Sequence, residues 1–219
     1  MISYDYGRVI ELTDADVIWP FHGEPHILLK AIRRESIDPF PAYAHDVGLV
    51  RATLAHVDQI VGDGVVVKPT VYVLHHEIPA RTNGWAYASV PYPKPKDGEP
   101  PHEGIICLPG KRIPLHPAMT RYVVAHEYGH HVEYEMLRRR GLDLHKSDIA
   151  HEYAKLRGAD PDIAYGGRTW HATAGELFAN DFRIVVCGIE QEYWPHPGFT
   201  HPLKLAKVRK WWAKHFEAR

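Results

Sequence analysis

Disulfides have little to work with in this chain. Cys107 and Cys187 are the two cysteines in 219 residues, and neither sits in a CxxC pair. No disulfide framework is expected, and a reducing compartment fits. Neither sign of charge prevails. A formal net charge of −1 gives no general pull on polyanions, so nucleic-acid binding is not expected without a localised basic patch. No apolar run approaches the length of a membrane span, and Met1 to Arg8 lacks the basic start and apolar core of a secretion signal. A cytoplasmic protein is the expectation. No internal repeat is present. Apolar residues make up 45% of the chain and charged ones 24%, which suits a globular protein with one sizeable core rather than a disordered chain.

Residues 1–48 carry Pro20, Pro25, Pro39 and Pro41 among scattered aromatics, and read as an irregular arm with a short helix at Leu28–Arg34. His22, His26 and His45 read there as surface or packing residues. From 49 to 219 the pattern is that of one domain. Leu49–Val61 is an amphipathic helix stopped by Gly62-Asp63-Gly64. Val65–Val67 and Thr70–Leu74 read as strand broken at Pro69, and Trp85–Val90 as another. A proline-rich loop follows at 91–101, then a short apolar strand ending at Leu108-Pro109.

The organising stretch is His126-Glu127-Tyr128-Gly129-His130, inside a helix expected over Pro117–Arg140. Pro117 suits a first helical position, Arg138, Arg139 and Arg140 suit the negative end of the dipole, and Gly141 suits a left-handed stop. Histidines four apart stack on one helical face, so both imidazoles can reach one metal ion, and the adjacent glutamate can reach its water. Met119, Val123, His126, His130 and Leu137 share roughly one face, which turns the histidines inward. His131 points about a third of a turn away. HExxH alone carries limited weight in a chain with 17 histidines. The extended metzincin pattern is excluded by Glu133 and Met136.

A catalytic zinc wants three protein ligands and one open position. The strongest third candidate is Glu176, on a second long helix expected over Trp170–Cys187 and closed by Gly188. Thr173–Glu176 also reads as a capping box, which would give the glutamate a purely local task. Glu152, on a helix expected over Asp143–Arg157, and His145, His151 and His171 compete with it. Asn180, one turn past Glu176, or Asp181 beside it is expected to accept a hydrogen bond from a ligand histidine. An oxyanion needs a second donor at the cleft wall, and Tyr165 comes first with His171 second. The tail, Leu203–Phe216, is a basic helix with Trp211 and Trp212. It reads either as an attachment surface or as a closing helix that packs its tryptophans inward.

Val124-Ala125-His126-Glu127-Tyr128-Gly129-His130, followed by Glu176-Leu177-Phe178-Ala179-Asn180-Asp181-Phe182, resembles the gluzincin peptidases. The second segment is similar to the ImmA/IrrE family (E-x-x-A-N-x-F) and to the catalytic domain of anthrax lethal factor and its relatives (E-F-F-A-x-x-F). The long gap between the segments favours the latter. The resemblance spans about residues 50–187 and is carried by these two segments. It implies an α+β, zincin-like fold, a small mixed sheet with an edge strand over the metal helix, plus several helices. It implies one Zn2+ held by His126, His130 and Glu176, with Glu127 as general base. It also implies that the strand Gly104, Ile105, Ile106, Cys107 is that edge and adds an extended peptide as a further strand, an ordinary core strand being the alternative. The activity expected is that of a zinc endopeptidase acting on a protein or peptide segment. A zinc-stabilised binding or regulatory module that cleaves nothing is the alternative from another class, and a basic-tail adaptor for polyanions is disfavoured by the balanced charge.

Overall fold

In the computed structural model, residues 3–5, 9–12, 43–62, 68–77, 85–87, 105–139, 148–159, 174–190, 196 and 198–216 are described. They form an α+β arrangement around one mixed sheet. Its strands are β1 (Ser3–Asp5), β2 (Val9–Leu12), β3 (Thr70–Glu77), β4 (Trp85–Tyr87) and β5 (Ile105–Gly110), in the spatial order β1-β2-β3-β5-β4. β2, β3 and β5 run parallel, and antiparallel β1 and β4 close the two sides.

Two expectations are corrected by that order. The N-terminal 48 residues are not wholly an arm, because β1 and β2 enter the sheet and β2 pairs with β3. Four-residue β2 is too short for an alternating pattern to stand out, and its partner lies some 60 residues away in the chain. The strand expected at 104–108 is not the sheet edge. Ile105, Ile106 and Cys107 pair with β3 on one side and with β4 on the other, and Ile106 and Cys107 are fully buried. An apolar run with both flanks bonded is a core strand, and among the described strands β4 takes the edge. Gly104, the Leu28–Arg34 helix, Val65–Val67 and the 91–101 loop lie outside the described residues.

The helices are α1 (Val47–Val61), α2 (Pro117–Arg139), α3 (Asp148–Arg157), α4 (Ala174–Asp181) and α5 (Ala206–Phe216). Asp46 caps α1 by accepting from the Leu49 N–H at 2.6 Å, and Gly62, at φ 52°, lets the chain leave it. Val50, Leu54 and Val57 of α1 meet Val71 and Val73 of β3, Ile106 and Leu108 of β5, and Val123 and Val124 of α2 in one core. α2 lies at its centre, in contact with α1, β4, β5 and α4. The second long helix starts at Ala174 within the described residues and changes to a π turn over Phe182–Val186 before Gly188, at φ 65°, ends it.

The tail helix closes the domain. Val208, Trp211 and Trp212 are buried against Tyr153, Phe178 and Phe182, and the Trp212 indole donates to the Tyr153 hydroxyl at 3.0 Å. Lys207, Lys210 and Lys214 stay exposed on its other side. Beneath it, Asp181 of α4 and Arg157 of α3 form a fully buried ion pair at 2.8 Å, and the Tyr153 hydroxyl donates to the same carboxylate oxygen. No described helix is long and apolar enough to cross a membrane. Both cysteines are buried and free.

Candidate metal centre

His126, Glu127 and His130 face the interior because α2 runs through the core with Val123, Val124 and Ala125 packed before them. α4 crosses α2 at the same level and presents Glu176. The carboxylate reaches both imidazoles, with Oε2 at 3.1 Å from His126 Nε2 and Oε1 at 3.4 Å from His130 Nε2. One donor atom from each of the three residues lies within 4.8 Å of the others. A tetrahedral ion with bonds of about 2.0–2.1 Å places its ligand atoms about 3.3 Å apart, and each imidazole lies near that separation from one oxygen of the carboxylate, His126 from Oε2 and His130 from Oε1. Two imidazole nitrogens and one carboxylate oxygen also suit zinc chemically. The residues fit the ion that the sequence pattern implies.

The electrostatics are those of a concentrated donor set. Burial alone would lower the His130 pKa, but the hydrogen bond and charge of Glu176, helped by Glu127 and Glu133, raise it to about 9. Burial works against ionising Glu176, yet hydrogen bonds from His126 and His130 hold its carboxyl well below the usual carboxylate range. Glu127 is 6% exposed, and its charge adds to burial in pushing up the thiol of Cys107, on β5.

Two features bring the helices together that local sequence did not announce. Gly129 lies against Ala179, where a Cβ would come within 2.8 Å of the Ala179 Cα and 2.9 Å of its carbonyl oxygen. The glycine inside HExxH is therefore a contact residue, without which α4 could not approach so closely. Tyr122, one turn before His126, stacks on its imidazole with centroids 5.8 Å apart and planes 13° from parallel. The Arg183 guanidinium, 4.2 Å over the other residue of that stack, sits on the Tyr122 ring. Burial pulls the Arg183 pKa down to about 10, so it remains a cation at neutral pH. Burial raises the Tyr122 pKa, opposed by Arg183 and helped by Glu176 and Glu127, so its phenol stays neutral. Both residues were findable in principle, since Tyr122 is i−4 from His126 and Arg183 is i+7 from Glu176.

Asn180 and Asp181 have partners other than a ligand histidine. The Asn180 amide donates to the Glu176 carbonyl oxygen at 3.1 Å and to His196 Nε2 at 2.7 Å, and its Oδ1 accepts from Arg183 at 3.0 Å. Asp181, rotated about 100° further round the helix, turns to Arg157 and Tyr153. Glu152, a competing ligand, instead accepts from the Trp211 indole at 2.9 Å. Tyr165, His145 and His171, and the side chain of His151, lie outside the described residues, as does Thr173 of the capping box. His45 is a packing residue, buried and bonded through Nδ1 to Thr120 Oγ1 at 2.9 Å.

No family model, no curated protein and no solved structure matches the chain.

Proposed function

We propose that the chain is a zinc-dependent endopeptidase of gluzincin type with a zincin-like fold. The observation that carries this reading is the convergence of His126, His130 and Glu176 from two separate helices, with Glu127 beside the first. Zinc held by these three residues would supply Lewis-acid polarisation of a substrate carbonyl and acidify a water to a pKa of about 7. Glu127 takes a proton from the attacking water and carries it to the departing amine nitrogen as the peptide C–N bond breaks. Its burial limits competition from bulk solvent for that proton. The substrate is an extended segment of a protein. Among the described strands β4 has β5 on one side only, and α2 packs against it, so its outer edge is where such a segment would add as a strand.

Zinc stoichiometry and cleavage of a peptide library by wild type, Glu127→Gln and Glu176→Ala test the proposal. Wild type is expected to bind one zinc and cleave. Glu127→Gln is expected to keep the zinc and lose about 10²–10⁴-fold in kcat, and Glu176→Ala to lose zinc affinity itself. Zinc bound without cleavage by the wild type would point instead to a metal-stabilised binding module. Undiminished zinc affinity in Glu176→Ala would refute the ligand set.

A further inference from the structure

Behind the three donors, two stripes of side chains face each other. On α2 the stripe is Tyr122, His126 and His130, one turn apart. On α4 and the π turn that continues it, the stripe is Glu176, Asn180 and Arg183 at i, i+4 and i+7. One pair of ends meets at the donors. The other meets at Arg183, whose guanidinium covers the Tyr122 ring at 4.2 Å while that ring stacks on His126. The same guanidinium donates to Asn180 Oδ1 at 3.0 Å and to the Ile189 carbonyl oxygen at 2.6 Å. Asn180 in turn donates to the Glu176 carbonyl oxygen. Arg183 is 0% exposed. Holding a cation in the core is costly unless hydrogen bonds and a π face compensate, and an apolar side chain of similar volume often serves as well for stability.

We propose that Arg183 is the positioning residue of this metal centre. By pinning Tyr122 it fixes the ring rotation of His126, and through Asn180 it fixes the turn of α4 that presents Glu176. This rests on His126, His130 and Glu176 being the metal ligands. Charge alone predicts the opposite sign, because a buried cation repels a nearby dication and its removal would tighten binding. The direction of the change therefore separates positioning from mere proximity.

The test is zinc affinity by chelator competition, together with the absorption spectrum of the Co2+ form, for wild type, Arg183→Met, Tyr122→Leu and the double variant, each at a temperature where circular dichroism shows it folded. Arg183→Met and Tyr122→Leu are each expected to bind zinc about 10–100-fold more weakly and to shift the cobalt band. The double variant is expected to lose less than the product of the two losses, since part of the Arg183 effect passes through its contact with Tyr122. Arg183→Met with wild-type or tighter zinc binding and an unchanged cobalt spectrum overturns the proposal. Should Arg183→Met not fold, Tyr122→Leu and Arg183→Lys carry the test. The lysine keeps a charge but cannot span the ring and both oxygens, so weaker binding supports the proposal and wild-type binding in both variants overturns it. A wild type that binds neither metal refutes the ligand set, and this proposal with it.

Discussion

Replacing Gly129 by alanine asks how closely the helices that carry the three proposed ligands must approach. The new Cβ would stand 2.8 Å from the Ala179 Cα and 2.9 Å from its carbonyl oxygen. Both atoms are backbone, so no rotamer change relieves the overlap. To recover an ordinary contact of 3.4 Å the helices must separate by roughly 0.6 Å. Such overpacking costs about 1–3 kcal/mol, and alanine returns about 1 kcal/mol of helix propensity. The metal-free protein should therefore lose about 0–2 kcal/mol, a small change. The donor set suffers more. The His126–Glu176 and His130–Glu176 separations, now 3.1 and 3.4 Å, would open toward about 4 Å, whereas a metal site tolerates bond-length errors of only about 0.2 Å. Zinc affinity is expected to fall about 10–100-fold, or about 1.4–2.8 kcal/mol. Chelator competition measures the affinity and urea unfolding of the metal-free protein the stability. Zinc affinity within twofold of wild type, or a metal-free protein stabilised by the full propensity gain, would refute the close-approach argument.

His45 gives the protein an acid sensitivity unconnected with the proposed metal centre. Burial, with Lys111 adding to it, lowers its pKa from 6.5 to about 4. A depressed value means that the folded state resists protonation, so stability is complete above pH 6.5 and declines as pH falls from there toward 4, by about 2 kcal/mol at pH 5. In urea titrations of metal-free protein at pH 7.5 and 5, His45→Gln is expected to lose less than wild type, and equal losses would contradict this. Arg157→Met strips the partner from Asp181, whose carboxyl burial already pushes up to about 7 against the pull of Arg157 and Tyr153. A cost of about 3–5 kcal/mol is expected in chemical unfolding, and a loss under 1 kcal/mol would show the pair to be dispensable. Cys107 and Cys187 are buried, and burial raises the Cys187 pKa to about 12. Neither thiol is expected to react with a disulfide reagent until the chain unfolds, and rapid labelling of the native protein would contradict their burial.

The sequence by itself determined the helix that carries His126 and His130. Proline at its start, arginines at its end and apolar residues at helical spacing are local signals, and i, i+4 geometry follows from the helix repeat alone, so His126 and His130 were bound to share a face. It also pointed to Glu176, because a carboxylate embedded in Leu177, Phe178 and Ala179 had to sit against the core. Only tertiary structure decided the rest. Which strand lies at the sheet edge depends on pairings between segments far apart in the chain, so Ile105, Ile106 and Cys107 became interior and, among the described strands, β4 took the rim. Short β2 acquired its place from β3 rather than from its own pattern. Whether Gly129 marks flexibility or contact depends on what stands opposite it, and that is Ala179 on another helix. Tyr122 and Arg183 likewise looked like ordinary members of their helices until the π turn and the helix crossing laid one over the other. Periodicity along a helix is written in local order, whereas the approach of two helices is fixed by packing across the whole core.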